Sequence, residues 1–226
     1  ILQASRDSNM KKIIITSTSE TYGTAQFVPI TESHPSSAQS PYAATKIAAD
    51  QLALSFFRSY NMPISILRPF NTFGPRQSFR AVIPSIITQI NSGVEEILLG
   101  SLTPTRDFNF VEDICNAFEA LCFSQNTNGM VFNAASEYEI SIGETVKLIA
   151  DIMNSNVKIL TDNQRVRPKE SEVLRLFGDS QLLQTSTQWS PEYSGIEGFK
   201  KGLIKTINWF SDSNNLTHYP ENYFSL

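Results

Sequence analysis

IIITSTSETYG (residues 13–23) runs from three β-branched isoleucines into four consecutive hydroxyl side chains, Thr16 to Ser19, and then a carboxylate, Glu20. A short β-branched run of this kind reads as a buried parallel strand. Residues 17–41 are rich in Ser, Thr, Pro and Gly and read as a long loop broken by turns. From Tyr42 to Tyr60 apolar residues recur at helical spacing (Ala44, Ile47, Ala48, Leu52, Leu54, Phe56), and Ile64 to Leu67 form a second apolar run stopped by Pro69. Strand, loop, helix, strand is the order of a βαβ unit, which implies an α/β fold with a parallel sheet and helices on its faces.

Past Pro69, NTFGPRQS reads as a loop, AVIPSIITQINSG as a helix ended by Gly93, and EEILLG as a short strand. VEDICNAFEALCF predicts an amphipathic helix with Ile114, Ala117, Phe118 and Leu121 on one face. GMVFNAA predicts a strand, and SIGETVKLIADIMN opens with a capping-box pattern, Ser141 to Glu144. A last helix is expected from about Ile196 to Phe210. The chain has 226 residues, 41% hydrophobic and 18% charged, with a net charge of -4. That balance gives no electrostatic reason to expect nucleic acid or an anionic membrane as a partner. No run approaches the roughly 18 apolar residues of a membrane span, and no secretion signal is visible, so the expectation is a soluble cytoplasmic protein. Cys115 and Cys122, seven apart on one helix, are too distant to bridge and read as buried free thiols. With His34 and His218 the only histidines, no metal site is expected, and the Asn215-Leu216-Thr217 sequon reads as chance.

Tyr42 and Lys46 stand four apart and project from one helix face. A Lys ammonium beside a phenol favours the phenolate, the form needed in a general base. Alone, Y-x-x-x-K also fits chance surface pairing. Its meaning comes from TSTSETYG at the end of the preceding strand, because ligands of open parallel sheets bind beyond the carboxyl ends of the strands.

TSTSETYG, SPYAATK (40–46), RPFNTFGPRQ (68–77), TRDFNFVED (105–113) and RPKESEV (167–173) together resemble the extended short-chain dehydrogenase/reductases, the NAD-dependent epimerase/dehydratase family, from residue 1 to about 210. Within it the chain is most like the nucleotide-sugar 4,6-dehydratases. It resembles the group acting on an N-acetylglucosamine nucleotide en route to legionaminic acid, with GDP-mannose 4,6-dehydratase as a relative. The resemblance implies the C-terminal part of a Rossmann-like doubly wound parallel sheet with a smaller α/β substrate-binding lobe. Residues 1–70, joined by 111–135, would form an incomplete NAD-binding unit carrying the catalytic residues. Residues 71–110 and 136–226 would form the nucleotide-sugar lobe.

The implied reaction is NAD-dependent oxidation at C4 of the sugar, loss of water across C5 and C6, and reduction at C6, in bacterial surface-sugar biosynthesis. By the same resemblance Tyr42 is the C4 base, Lys46 tunes it and holds the nicotinamide ribose, Thr18 bonds the C4 oxygen, and Glu20 takes the C5 proton. Ser19 occupies a position where many dehydratases carry Asp as proton donor to the departing hydroxyl. Pro69 and Phe70 would lie near the nicotinamide and Asn71 at the diphosphate. Arg106 and Arg167 would bind phosphate, Arg80 and Val82 would line the base and ribose pocket, and Asn133 is a further substrate contact. Read alone, each Arg also fits a surface salt bridge, Asn71 fits a turn before Gly74-Pro75, and Glu170 is either a partner of Arg167 or solvated.

The glycine-rich pyrophosphate loop of dinucleotide-binding folds is absent from the 226 residues. Because the chain opens without Met, it reads as a fragment expected to bind NAD poorly and to be inactive by itself. UDP-glucuronate decarboxylases share T-S-E-x-Y-G but carry YDEGK where this chain has YAATK, and 4-epimerases need no C5 base. A degenerate binding protein is the non-enzymatic alternative, against which Thr18, Glu20, Tyr42 and Lys46 are all present. A homodimer through the 42–60 helix is expected.

Overall fold

The computed structural model describes residues 1–166 and 168–217. Its first layer holds α1 (Leu2–Asp7), β1 (Ile13–Thr16), α2 (Pro41–Tyr60), β2 (Ile64–Pro69), α4 (Val111–Phe123) and β6 (Val131–Ala134). Between β2 and α4 lie β3 (Asn71–Phe73), α3 (Val82–Asn91), β4 (Glu96–Leu99) and β5 (Thr105–Phe110). After β6 come β7 (Glu139–Ser141), α5 (Ile142–Ile152), β8 (Lys158–Thr161), α6 (Gln181–Thr187), α7 (Gly195–Ser211) and α8 (Ser213–Leu216).

β1, β2 and β6 form a parallel sheet in that order, with Ile15 opposite Ile66 and Leu67 opposite Phe132. β2 is buried on both faces, as an apolar run in a doubly covered sheet must be. One face packs Ile13, Ile64 and Ile66 against Ala53 and Leu54 of α2. The other packs Leu67 and Phe132 against Ile114, Ala117 and Leu121 of α4, and against Leu183 and Trp189. The segment 181–189 therefore covers this sheet, although it falls in the stretch assigned from sequence to the second lobe. That stripe of α4 was legible in the heptad spacing. Cys115 and Cys122 are exposed rather than buried, because each lies one position past a core residue, Ile114 or Leu121, and turns about 100° away from the sheet.

The second layer surrounds a larger apolar cluster in which Phe73, Phe108, Phe110, Ile86, Ile87, Val146, Ile149, Phe199 and Leu203 meet. β5 runs between β3 (parallel) and β7 (antiparallel), and β4 pairs with β8. The segment read as a loop, NTFGPRQS, thus contributes strand β3, and TRDFNF forms β5. The expected capping box is present: Ser141 Oγ accepts the Glu144 amide at 3.1 Å, and the Glu144 carboxylate accepts the Ser141 amide at 3.0 Å. Ser141→Ala is expected to lower stability by about 1 kcal/mol, read as a displaced midpoint in urea unfolding with an unchanged slope.

Asp107 holds the two layers together. Fully buried at the junction, it accepts hydrogen bonds from Ser136 N (2.8 Å) and Oγ (2.7 Å), Glu137 N (3.2 Å), Gly178 N (3.2 Å) and Asn109 Nδ2 (3.0 Å). Burial raises its pKa to about 6, and the donors around it offset only part of that cost.

Candidate active site

Where β1 ends, the Ser17 amide donates to Leu67 O at 2.7 Å, and the chain then tightens into a 3-10 turn, Ser19–Tyr22. Thr18 starts that turn in an extended conformation, and its Oγ1 accepts the Glu20 amide at 3.3 Å. Gly23 closes it at φ +66°, and a Cβ there would come within 2.5 Å of Ser37 O and 2.8 Å of Gln39 Oε1. Glycine is required here, and the tight closure leaves Glu20 at the strand tip.

Facing the turn is the start of α2. Ser40 Oγ accepts the Ala43 amide at 3.1 Å and Pro41 takes the first helical position, so the helix begins one residue before Tyr42. This start directs Tyr42 and Lys46 toward the sheet's carboxyl end. Tyr42 is 50% exposed. Lys46 Nζ donates to Thr16 O at 2.9 Å and lies 5.9 Å from the centroid of the Tyr42 ring.

Thr16 to Glu20, Tyr42, Pro69, Phe70, Asn71 and Thr72 line one cavity of about 260 Å³. Thr18, Ser19, Glu20, Tyr42, Pro69, Phe70 and Asn71, expected from sequence in one site, are thereby brought together. Asn71 and Thr72 also belong to the wall of a second cavity of about 740 Å³, which includes Arg80, Val82, Arg106 and Arg165. Such a volume lies within the roughly 300–1,000 Å³ of small-molecule sites. Asn71 Oδ1 and Ser17 Oγ are buried and have no hydrogen-bond partner among the described residues, which marks the wall between strand tip and cavity as polar and unsatisfied.

Other expectations are changed. Asn133 lines neither cavity: it is fully buried, accepts the Tyr22 hydroxyl at 2.7 Å, and donates through Nδ2 to Ile30 O at 3.0 Å. Its amide is spent inside the fold because Tyr22 and the Ile30 carbonyl cover β6, the edge strand of the sheet, at this point. Arg106 does reach the larger cavity, where it pairs with Glu172 at 3.2 Å. Arg167 lies outside the described residues. Arg165, not singled out from sequence, is on the cavity wall beside Asp162, its Nε 3.2 Å from the carboxylate. The signal available was the R-x-R spacing of 165–167. His34 is buried, with Nε2 accepting the Gln26 amide at 3.0 Å, a structural role.

A parallel sheet whose carboxyl end carries T-x-E on a turn and Y-x-x-x-K on the following helix defines an extended short-chain dehydrogenase/reductase. Comparison narrows the class. The model of the family described as GDP-mannose 4,6 dehydratase matches residues 1–202, and the chain belongs to that family. Human dTDP-D-glucose 4,6-dehydratase is 27% identical over 216 residues, 94% of this chain and 60% of the enzyme. The GDP-6-deoxy-D-mannose reductase of Pseudomonas aeruginosa is 33% identical over 159 residues, 68% of this chain and 51% of that enzyme. The crystal structure of dTDP-glucose 4,6-dehydratase from Bacillus anthracis in complex with NAD superposes with a TM-score of 0.82 at 25% identity, covering 94% of this chain and 66% of that one. The chain thus spans somewhat over half the length of the curated relatives it matches. No helix among the described residues is long and apolar enough to cross a membrane.

Proposed function

We propose that this chain carries the catalytic and sugar-nucleotide half of an NAD-dependent 4,6-dehydratase, which converts a nucleotide-activated hexose to its 4-keto-6-deoxy derivative. The observation that supports the reading is a pair of cavities with Asn71 and Thr72 in the wall of both: Glu20 and Tyr42 line the smaller, and the guanidinium groups of Arg80, Arg106 and Arg165 the larger. The hexose occupies the smaller cavity and the nucleoside diphosphate the larger, where Arg106 and Arg165 meet its phosphates and Arg80 and Val82 its base and ribose. Tyr42, Pro69 and Phe70 on the wall of the smaller cavity, with Lys46 bonded to the Thr16 carbonyl at the end of β1, would hold the nicotinamide ribose half of NAD.

Bound NAD supplies a hydride acceptor at C4 and a hydride donor at C6. The Tyr42 phenolate takes the proton of the C4 hydroxyl, while Thr18 Oγ1 hydrogen-bonds that oxygen. The resulting 4-ketone acidifies the C5 hydrogen, which Glu20 removes as a proton. Ser19 offers no acid to the departing C6 hydroxyl, so Glu20 hands on the proton it has taken and the hydroxyl leaves as water. Glu20 then returns a solvent-derived proton to C5. In deuterium oxide the product is expected to have lost one water and to carry one deuterium at C5, read by mass spectrometry and proton NMR across a panel of NDP-hexoses. A 4-epimerised product of unchanged mass, or loss of carbon dioxide from a glucuronate, would overturn the reading.

We further infer a homodimer through α2, whose exposed face carries Ala44, Ala48 and Leu52, the last 54% exposed. Apolar residues at i and i+4 on an uncovered helix face are suited to pairing with a second copy. Sedimentation of the whole enzyme as a monomer would refute this.

A further inference from the structure

Arg68 lines neither cavity and takes no part in the chemistry above, yet it touches both elements that carry the reacting groups. Its Nε and Nη2 donate to Asp50 Oδ2 at 3.0 and 2.9 Å. Asp50 sits one helical turn beyond Lys46 on α2, so this pair ties the Tyr42-bearing helix to β2. On its other side, the guanidinium carbon lies 4.8 Å from the centroid of the Tyr22 ring, two residues after Glu20 in the 3-10 turn. The Tyr22 hydroxyl is held in turn by Asn133 Oδ1 at 2.7 Å. Both ion-pair side chains are almost fully buried, at 7% and 1% exposure.

We propose that Arg68 is a positioning residue that sets the distance between the Glu20 carboxylate and the Tyr42 phenol across the smaller cavity. The inference rests on the dehydratase reading only in the roles it gives those two groups. Glu20 rides on a four-residue turn and Tyr42 on the second residue of a helix, and neither element is otherwise fixed to the other by an ion pair among the described residues. A planar guanidinium can bond a carboxylate along one edge while its flat face lies on an aromatic ring. A Lys ammonium, a compact point charge, offers neither the planar edge nor the flat face, so Arg68→Lys loses this two-sided fit.

The test uses the whole enzyme with NAD bound and whichever NDP-sugar the wild type turns over. Arg68→Lys is expected to lower kcat by roughly 10–100-fold with KM changed less than about threefold, because a small misplacement of reacting groups costs rate more than binding. Exchange of solvent deuterium into C5 is expected to fall in step with kcat. The second variant replaces both partners, Asp50→Leu with Arg68→Met. An apolar pair of similar volume can restore the stability of a buried ion pair, so its Tm is expected near that of the wild type while kcat stays at least about tenfold down. Recovery of kcat together with Tm would reduce Arg68 to a stability role and overturn the proposal. So would a kcat within threefold of wild type in Arg68→Lys, which decides the matter alone if the double variant does not fold. A wild type that epimerises and does not dehydrate would sink the dehydratase reading and leave this comparison intact.

Discussion

Replacing Tyr42 by Phe is expected to lower turnover of the NDP-hexose by about 10³-fold, with substrate affinity changed less than about threefold. The substitution removes one oxygen from a side chain that is half exposed on the cavity mouth and leaves the helix start intact, since Ser40 and Pro41 hold it without help from the phenol. On the proposed reading, what is lost is the acceptor for the C4 hydroxyl proton. Glu20→Gln is the informative companion. It keeps the turn, because the turn is held by backbone bonds from Thr21 and Gly23 and by Thr18 Oγ1. With C4 oxidation still available, it should form NADH in a single turnover while C5 exchange in deuterium oxide disappears. Single-turnover absorbance at 340 nm and NMR of the recovered sugar separate the two variants, and turnover by Tyr42→Phe within tenfold of wild type would remove Tyr42 from the role of base.

Asp107→Ala is expected to destabilise the fold by about 4 kcal/mol or more, because each buried donor left without an acceptor costs about 1–3 kcal/mol. Five donors converge on this carboxylate from three segments: 107–109, 136–137 and 178. The pH dependence carries a sign that identifies the group. Burial lifts the folded carboxyl from 3.8 to about 6, so the folded state binds the extra proton between those values. Its contribution to stability is therefore full below pH 3.8 and lost as pH rises through 6, a decline of about 3 kcal/mol that the alanine variant lacks. Thermal or urea unfolding of both proteins should show a larger deficit at pH 4.5 than at pH 7.5. A deficit that grows with pH would mean the donors outweigh burial.

The parts of the molecule legible in its residues are those whose physics is local. β-branched isoleucines at 13–15, the helical spacing of 42–60 and the Ser141–Glu144 cap needed no distant partner to be recognised. β3 and β5 were not legible: NTF is three residues long, and TRDFNF mixes charge with aromatics, because Asp107 and Asn109 point into a buried polar junction that exists only once residues 136 and 178 arrive. α6 was hidden for a similar reason. Its seven residues hold a single buried side chain, Leu183, and its identity as a helix comes from the sheet face it covers.

The candidate site divides the same way. The sequence alone determined that a hydroxyl-and-carboxylate turn follows a parallel strand and that a phenol and an ammonium share the next helix face, since strand period and helix period are properties of adjacent residues. Tertiary structure alone decided which polar groups reach the cavities. Asn133 and Arg68 look as functional as Asn71 and Arg106 along the chain, yet the first pair is consumed inside the first layer and the second opens onto ligand-sized space. That choice depends on what each side chain meets across the sheet, and a buried amide or guanidinium that finds its partners within the fold has no bonds left to offer a substrate.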